Sequence, residues 1–157
     1  MLSSFKITGL EHDQFDHLFG MSDEDLKAHG AMRCVATENP GFPCRISLED
    51  AQIGDELLLL PFIHQPAASP YQASGPIFVR KGSKRHDSRP REVPSYVTSR
   101  LISVRAYDAA NMMVAATVCE GLNTGREIEE FFGNAEVAYI HLHNAKRGCF
   151  SARVERA

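Results

Sequence analysis

Apolar and polar side chains alternate along residues 139–153 on both sides of a turn, which is the period-two pattern of a β-hairpin. One face of the predicted hairpin would carry the apolar residues Ile140, Leu142, Phe150, Ala152 and Val154. The other face would carry Tyr139, His141, His143, Cys149, Ser151 and Arg153. A half-buried strand usually shows Lys, Glu or Thr to water, so two histidines and a thiol on this face indicate a candidate site.

The register of this hairpin follows from the requirement that the apolar sets of the two strands share a face. We expect strands at 139–143 and 149–153, joined by a loop over 144–148. In this register His143 lies opposite Cys149 and His141 lies opposite Ser151. Phe150 would then lie on the buried face beside Ile140 and Leu142.

The rest of the chain is predicted to form antiparallel strands with a few short helices. The hydrophobic pattern predicts strands at 3–8, 31–37, 56–64, 75–80, 101–107 and 112–119, and helices at 11–19, 22–29 and 124–132, with Ser22 as an N-cap. Residues 56–64 should be buried on both faces, although Pro61 indicates an edge or a bulge. Residues 81–92 are polar and basic and should form an exposed, mobile loop. We therefore expect one α+β domain over 1–157, mainly antiparallel, whose sheet could be strongly curved or barrel-like.

Composition and net charge argue against several classes of protein. The chain has 157 residues and a net charge of −3, which predicts neither general nucleic-acid binding nor attraction to a membrane surface. No apolar run reaches the roughly 18 residues that would span a bilayer, and residues 1–8 lack the hydrophobic core of a signal peptide. Four cysteines without a CxxC pair then indicate reduced thiols in a cytoplasmic protein.

Several strings of residues resemble a known family. They are PCRISLEDA at 43–51, HQPA at 64–67, SPYQASGPIFVR at 69–80, RAYD at 105–108 and YIHLHNAKRGC at 139–149. Together they are similar to a family of small bacterial proteins known only as domain of unknown function 1203. The resemblance implies a stand-alone bacterial protein and carries no activity, cofactor or catalytic residue.

The main hypothesis is one polar pocket that binds a small anionic metabolite. Guanidinium groups match carboxylates and phosphates, and a histidine whose pKa lies near neutrality could add acid–base chemistry. The predicted catalytic residues are His141, His143 and Cys149. The predicted ligand-binding residues are His64, Tyr71, Arg80, Arg105, Asn144, Arg147 and Arg153. We expect His64, Tyr71 and at least one of Arg80 and Arg105 to meet the histidine face.

Three alternatives remain open from the sequence. His141 and His143 point the same way from one strand and could bind Zn²⁺ with Cys149 or His64, although no resident metal or cofactor is assigned. Cys149 opposite His143 could form a thiolate–imidazolium pair, with Asn144 or Arg147 nearby. The polar face could instead dock a protein partner or a second copy of the chain, without chemistry.

Overall fold

A computed structural model describes residues 4–157 as two five-stranded sheets. The first sheet is antiparallel throughout, in the order β1-β10-β9-β7-β8. The second has the order β2-β5-β6-β3-β4 and is antiparallel except between β3 and β6. The strands are β1 (Phe5–Thr8), β2 (Met32–Val35), β3 (Pro43–Cys44), β4 (Glu49–Asp50), β5 (Glu56–Gln65), β6 (Ala73–Arg80), β7 (Leu101–Asp108), β8 (Met113–Glu120), β9 (Val137–Asn144) and β10 (Phe150–Arg156).

Short helices accompany the two sheets. They are α1 (Asp13–Asp16), α2 (Asp23–Ala28), α3 (Ser95–Thr98) and α4 (Thr124–Phe132), with 3₁₀ turns at His17–Gly20 and Gly121–Asn123. The Ser22 hydroxyl accepts a hydrogen bond from the Asp25 backbone N–H at 3.1 Å, which confirms the predicted cap of α2. The α+β class is confirmed, and the described strands form two open sheets rather than a closed barrel.

Two large hydrophobic cores and one small cluster around Leu57 stabilise the sheets within the described residues. In the first core, Ile128 and Phe132 of α4 pack against Ile102, Val104, Ile140, Leu142 and Val154 of the first sheet. In the second core, Phe15 and Leu26 of the amino-terminal helices and turns pack against Leu58 and Ile77 of the second sheet. Phe150 belongs to this second core although its strand lies in the first sheet. The start of β10 therefore contacts both sheets.

The register of the last hairpin differs from the prediction. His141 lies opposite Arg153 and Ile140 opposite Val154, so the apolar sets coincide as expected, but the pairing is two residues further along β10. A β-bulge between Phe150 and Ala152 then pairs Phe150 with His143. Because the bulge inserts one residue, it turns Phe150 onto the histidine face. The predicted pair of His143 with Cys149, and the placement of Phe150 beside Leu142, are therefore wrong.

Both faces of β9 are buried. Ile140 and Leu142 are 0% exposed on the first core, as predicted, and His141 and His143 are each 1% exposed on the opposite face. β9 lies at the centre of its sheet, and residues of β5 in the second sheet contact its histidine face. The two histidines are therefore interior groups between the sheets.

Strand β5 follows its prediction only in part. Its first half is largely buried, but Pro61 and Ile63 are exposed. The neighbouring β2 ends its pairing at Leu59, so Pro61 lies where β5 has become an edge, and a bulge follows between Phe62 and Gln65. The prediction that Pro61 marks an edge or a bulge in this strand is therefore confirmed. Burial on both faces is wrong for the second half of the strand.

Residues 81–92 form no helix or named strand, and most of their side chains are exposed, which confirms an exposed loop. The loop is tied to β1 by an isolated bridge between Thr8 and Asp87. Its mobility stays a prediction. The strand predicted at 3–8 is β1, and residue 3 lies outside the described residues.

Two further sequence predictions concern cysteines and membranes. Cys34, Cys44, Cys119 and Cys149 are all free thiols, as predicted. Within residues 4–157, none of the helices has the length and apolar character needed to cross a bilayer.

Candidate functional site

Three histidines from the two sheets meet at the centre of the molecule. His64 near the end of β5 lies with its ring centroid 4.9 Å from that of His143 and 6.3 Å from that of His141. One ring nitrogen of each histidine lies within 4.8 Å of the corresponding nitrogens of the other two. His141 and His143 are two apart on β9, so their side chains leave the strand on the same face. The expected approach of His64 to this face is confirmed.

The hydrogen bonds of the three rings are incomplete. His143 Nδ1 lies 2.9 Å from the backbone oxygen of Gly148. A carbonyl only accepts, so Nδ1 carries the proton and the Nε2 of the neutral ring presents a lone pair. That Nε2, together with Nδ1 of His64 and Nδ1 of His141, is buried without a hydrogen-bond partner among the described residues. The cluster therefore contains three buried polar atoms whose bonding capacity is unused.

Burial keeps these histidines neutral. It lowers the pKa of His141 to about 3, with a further contribution from the charge of Arg153. It lowers the pKa of His143 to about 4, against the opposing effect of the Gly148 hydrogen bond. The pKa of His64 is also lowered, by burial first and then by Arg105. Both pKa values lie below the near-neutral value that acid–base chemistry by a histidine would use, because the sheet–sheet interface removes water from both rings.

Phe150 fixes the position of His64. The two rings are stacked, with centroids 5.5 Å apart and planes 6° from parallel. Phe150 also meets both β9 histidines edge-on, with centroid distances of 5.4 Å to His141 and 5.8 Å to His143. The phenyl ring therefore packs against all three imidazoles and restricts their rotation.

Tyrosines form the adjoining part of the face. Tyr107 lies 5.1 Å from His141 and is stacked on Tyr139 at 5.2 Å, and Tyr71 meets Tyr107 edge-on at 6.1 Å. Gln65 donates to the Tyr139 hydroxyl at 2.9 Å, which itself donates to Asn111 Oδ1 at 2.7 Å. Tyr71 thus reaches the histidines through Tyr107, and the tyrosines and Gln65 close this end of the cluster.

Two arginines flank His141 on neighbouring strands. Arg105 of β7 and Arg153 of β10 are both directly opposite His141. The Arg153 guanidinium lies 4.2 Å above the Tyr139 ring and donates to Glu155 Oε1 at 2.8 Å. The Arg105 Nε donates to Ser103 Oγ at 3.1 Å, and Arg105 has no acidic partner within residues 4–157. Arg105 is therefore a half-buried cation without a counter-ion in the described chain.

Cys149 has partners other than the predicted one. Its sulfur accepts a hydrogen bond from Arg45 Nη2 at 3.1 Å and lies 3.6 Å from Asn144 Nδ2. His143 is neutral, and its Nδ1 is engaged by Gly148 rather than by the thiol. The hypothesis of a thiolate–imidazolium pair is therefore not supported by the geometry.

A cavity of about 1020 Å³ lies on the other side of His64, between the turn of the last hairpin and β6. Four of the sequence-predicted residues line it: His64, Asn144, Arg147 and Cys149. Arg45 also lines it and is 1% exposed, with Nε donating to Phe150 O at 2.7 Å and Nη1 to Pro43 O at 2.6 Å. Arg45 thereby holds the start of β10 against the second sheet.

The structure divides the predicted residues into three groups. His64, His141, His143, Tyr71, Arg105 and Arg153 lie on or beside the histidine face. Asn144, Arg147 and Cys149 lie at the cavity. Arg80 belongs to neither, because it lies opposite Leu57 near the far end of β5 and bonds to Asp55 at 3.5 Å and Ser83 at 3.0 Å. Of the two arginines of which at least one was expected at the histidine face, Arg105 lies there and Arg80 does not.

Sequence reasoning did not identify Phe150 and Gln65 as parts of the site. Phe150 was assigned to the apolar face because an alternating pattern carries no sign of an inserted residue. Gln65 directly follows His64 and would have been a candidate only if the bulge in β5 had been anticipated. Neither residue type is distinctive in sequence.

The comparisons with known proteins identify the family. The model of the family described as "Protein of unknown function (DUF1203)" matches residues 41–156, and the chain belongs to that family. The resemblance drawn from the sequence strings is thereby confirmed. No curated protein and no solved structure matches the chain. The matched region contains all ten candidate site residues.

Proposed function

We propose that this protein binds a small anionic molecule at the histidine face, with Arg105 as the group that pairs with the anion. The ligand class is a carboxylate or phosphate, and the setting is the bacterial cytoplasm. The observation that carries the proposal is the half-buried Arg105 guanidinium without an acidic partner in residues 4–157. A buried or half-buried charge is costly unless it is paired, and a bound anion would provide the pair.

The neighbours of Arg105 favour this role. His141 lies directly opposite it and is neutral, since burial holds its pKa at about 3. A neutral imidazole can donate a hydrogen bond to an anion without repelling Arg105. Tyr107 lies on the same face beside His141, and burial raises the pKa of its phenol, which keeps it protonated as a potential donor. One charged fork and several neutral donors suit a small oxyanion.

The experiment compares the two arginines that flank His141. Thermal unfolding of protein dialysed against EDTA is followed with inorganic phosphate or succinate, and with sodium chloride at matched ionic strength. We expect phosphate or succinate to raise the melting temperature of the wild type and of Arg153→Gln, because Arg153 already has Glu155 as a partner. At a concentration 100 times Kd the gain would be about 2.7 kcal/mol.

Arg105→Gln should remove this response while its melting temperature in chloride stays close to that of the wild type. An equal response in Arg105→Gln would place the anion elsewhere. No response to either anion beyond that to chloride in the wild type would contradict the proposal.

A further inference from the structure

We infer that His64, His141 and His143 form a binding site for a divalent first-row transition metal ion, with three imidazole nitrogens as ligands. One nitrogen from each ring lies within 4.8 Å of the others. The site shares His141 with the proposed anion site, but it rests on the three imidazoles, whereas the anion proposal rests on Arg105. Of the two further ligands that the sequence offered, Cys149 and His64, the structure favours His64, because the sulfur of Cys149 is bonded to Arg45.

The strongest support is the unused bonding capacity of the rings. His141 and His143 are each 1% exposed, and each has a buried ring nitrogen without a partner among the described residues, as does His64. An unsatisfied buried polar atom destabilises a fold, so three in one place are a large cost unless a ligand satisfies them. A single ion coordinated by all three rings would satisfy them together.

The orientation of His143 is that of a metal ligand. Its Nδ1–H is held by the Gly148 carbonyl at 2.9 Å, which leaves Nε2 unprotonated. Metal-bound histidines generally donate their other ring N–H to a carbonyl or carboxylate, and this second contact fixes the tautomer and the ring plane. Gly148 has a φ of +79°, so its carbonyl is positioned by a turn conformation that glycine adopts readily.

The ring nitrogens of the three histidines need to move only a short distance to bind one ion. Two nitrogens bound to one tetrahedral zinc ion at about 2.0–2.1 Å are separated by about 3.4 Å. The nitrogens of the three rings are at most 4.8 Å apart, so each pair would have to approach by no more than about 1.4 Å. Modest side-chain rotations can supply this movement. The stacked Phe150 limits tilting of the His64 ring, but His64 is half-buried and lines the cavity on its other side, which leaves the ring free to shift within its own plane.

Three neutral ligands leave the charge of the ion uncompensated and one tetrahedral position open. The half-buried Arg105, directly opposite His141 on the neighbouring strand, adds a further positive charge near these rings. The fourth ligand should therefore be an anion or a hydroxide rather than a neutral protein group. Imidazole nitrogens bind Zn²⁺, Cu²⁺, Fe²⁺ and Ni²⁺ well. Zn²⁺ serves as the probe in the titration that tests the site.

The test is a Zn²⁺ titration of the full chain after dialysis against EDTA, by calorimetry and by thermal unfolding. We expect about one equivalent of Zn²⁺ and a rise in melting temperature, since an ion bound only by the folded state stabilises it. Co²⁺ should give the visible bands of a four-coordinate ion with nitrogen ligands.

His64→Gln is the decisive variant, because position 64 is half-buried and the change carries little risk to folding. It should weaken Zn²⁺ binding by at least about 100-fold, the upper end of what loss of an outer contact costs. His86→Gln is the matched control, since His86 also has a buried ring nitrogen without a described partner but lies outside the cluster. It should bind Zn²⁺ as the wild type does.

One other group within residues 4–157 has ligand spacing, formed by His12, Asp13 and Asp16 at the surface. Zn²⁺ binding that survives in His64→Gln and is lost in His12→Gln would overturn the inference. So would less than about a tenth of an equivalent bound to the wild type, which would leave a water molecule as the partner of the rings. A wild type that responds to phosphate but does not bind Zn²⁺ would contradict the metal site alone. A wild type that binds Zn²⁺ but does not respond to phosphate or succinate would contradict the anion site alone.

Discussion

The bulge that places Phe150 on the histidines is anchored by one tyrosine hydroxyl. Tyr96 in α3 is 2% exposed, and its hydroxyl donates to the backbone oxygen of Ser151 at 2.7 Å. Ser151 is the residue between Phe150 and Ala152 at which the register shifts. Burial raises the pKa of Tyr96, so the hydroxyl stays protonated and can donate at any physiological pH. The change Tyr96→Phe removes this hydrogen bond and little else.

The expected loss is about 2 kcal/mol. The hydrogen bond itself contributes about 1 kcal/mol, and the Ser151 carbonyl left beside an apolar ring adds a further penalty of similar size. For a chain of this length each kcal/mol lowers the melting temperature by about 2–4 °C, so Tyr96→Phe should lower it by about 4–8 °C. Urea unfolding followed by far-UV circular dichroism should give a lower midpoint with an unchanged slope.

Tyr71→Phe is the matched control. Tyr71 is half-buried, and its hydroxyl makes no hydrogen bond within the described part of the chain. Its removal should change stability by less than about 0.5 kcal/mol. If Tyr96→Phe were also within this limit, the hydroxyl would not be holding the bulge and the reasoning would be refuted.

Three further changes test single contacts of the fold by urea unfolding. Gly121→Ala should cost more than about 2 kcal/mol, because its Cβ would collide with the backbone oxygens of Val97, Thr98 and Arg100, whereas Gly20→Ala has open space and should be nearly neutral; equal effects would contradict this. Arg100→Met should cost about 2–3 kcal/mol, since it leaves the half-buried carboxylate of Asp50 without the two hydrogen bonds that Arg100 donates at 2.6 and 3.1 Å; a neutral result would show the pair to be dispensable. Ser22→Ala should cost about 1 kcal/mol through loss of the cap of α2, and no change would contradict that role.

The alternating pattern was sufficient to predict most of the strands around the site. β7, β8 and β9 were found because each strand alternates or is uniformly apolar over its length. The pattern also predicts that the apolar residues of β9 and β10 lie on one face of the sheet. Side chains alternate between the two faces of a strand, so this requirement already excludes a register shifted by one residue. The pattern does not distinguish the predicted pairing of β9 with β10 from the observed one, which is shifted by two residues, because both keep the apolar residues on one face. The choice between them depends on the conformation of the loop that joins the strands.

Other parts of the site depend on contacts between distant segments. His141 and His143 look like a solvent-facing set in sequence, because nothing on β9 itself shows that a second sheet covers them. Arg80 was placed in the pocket because it ends a family string, but the antiparallel β5–β6 pair puts it far from His64. Arg45 lies in another string, and its burial follows from contacts with Pro43 and the distant Phe150.

The division of the three histidines between the sheets has a consequence for local opening of the protein. His64 belongs to one sheet, and His141 and His143 belong to the other, so a partly unfolded form with the sheets apart retains only fragments of the cluster. A ligand held by all three rings would suppress that opening selectively, while fraying at the chain ends would continue at its own rate. Amide hydrogen exchange would show it as slower exchange along β5, β9 and the start of β10. The same ligand would therefore act as a clamp whose presence can be followed through backbone protection, independently of any chemistry it performs.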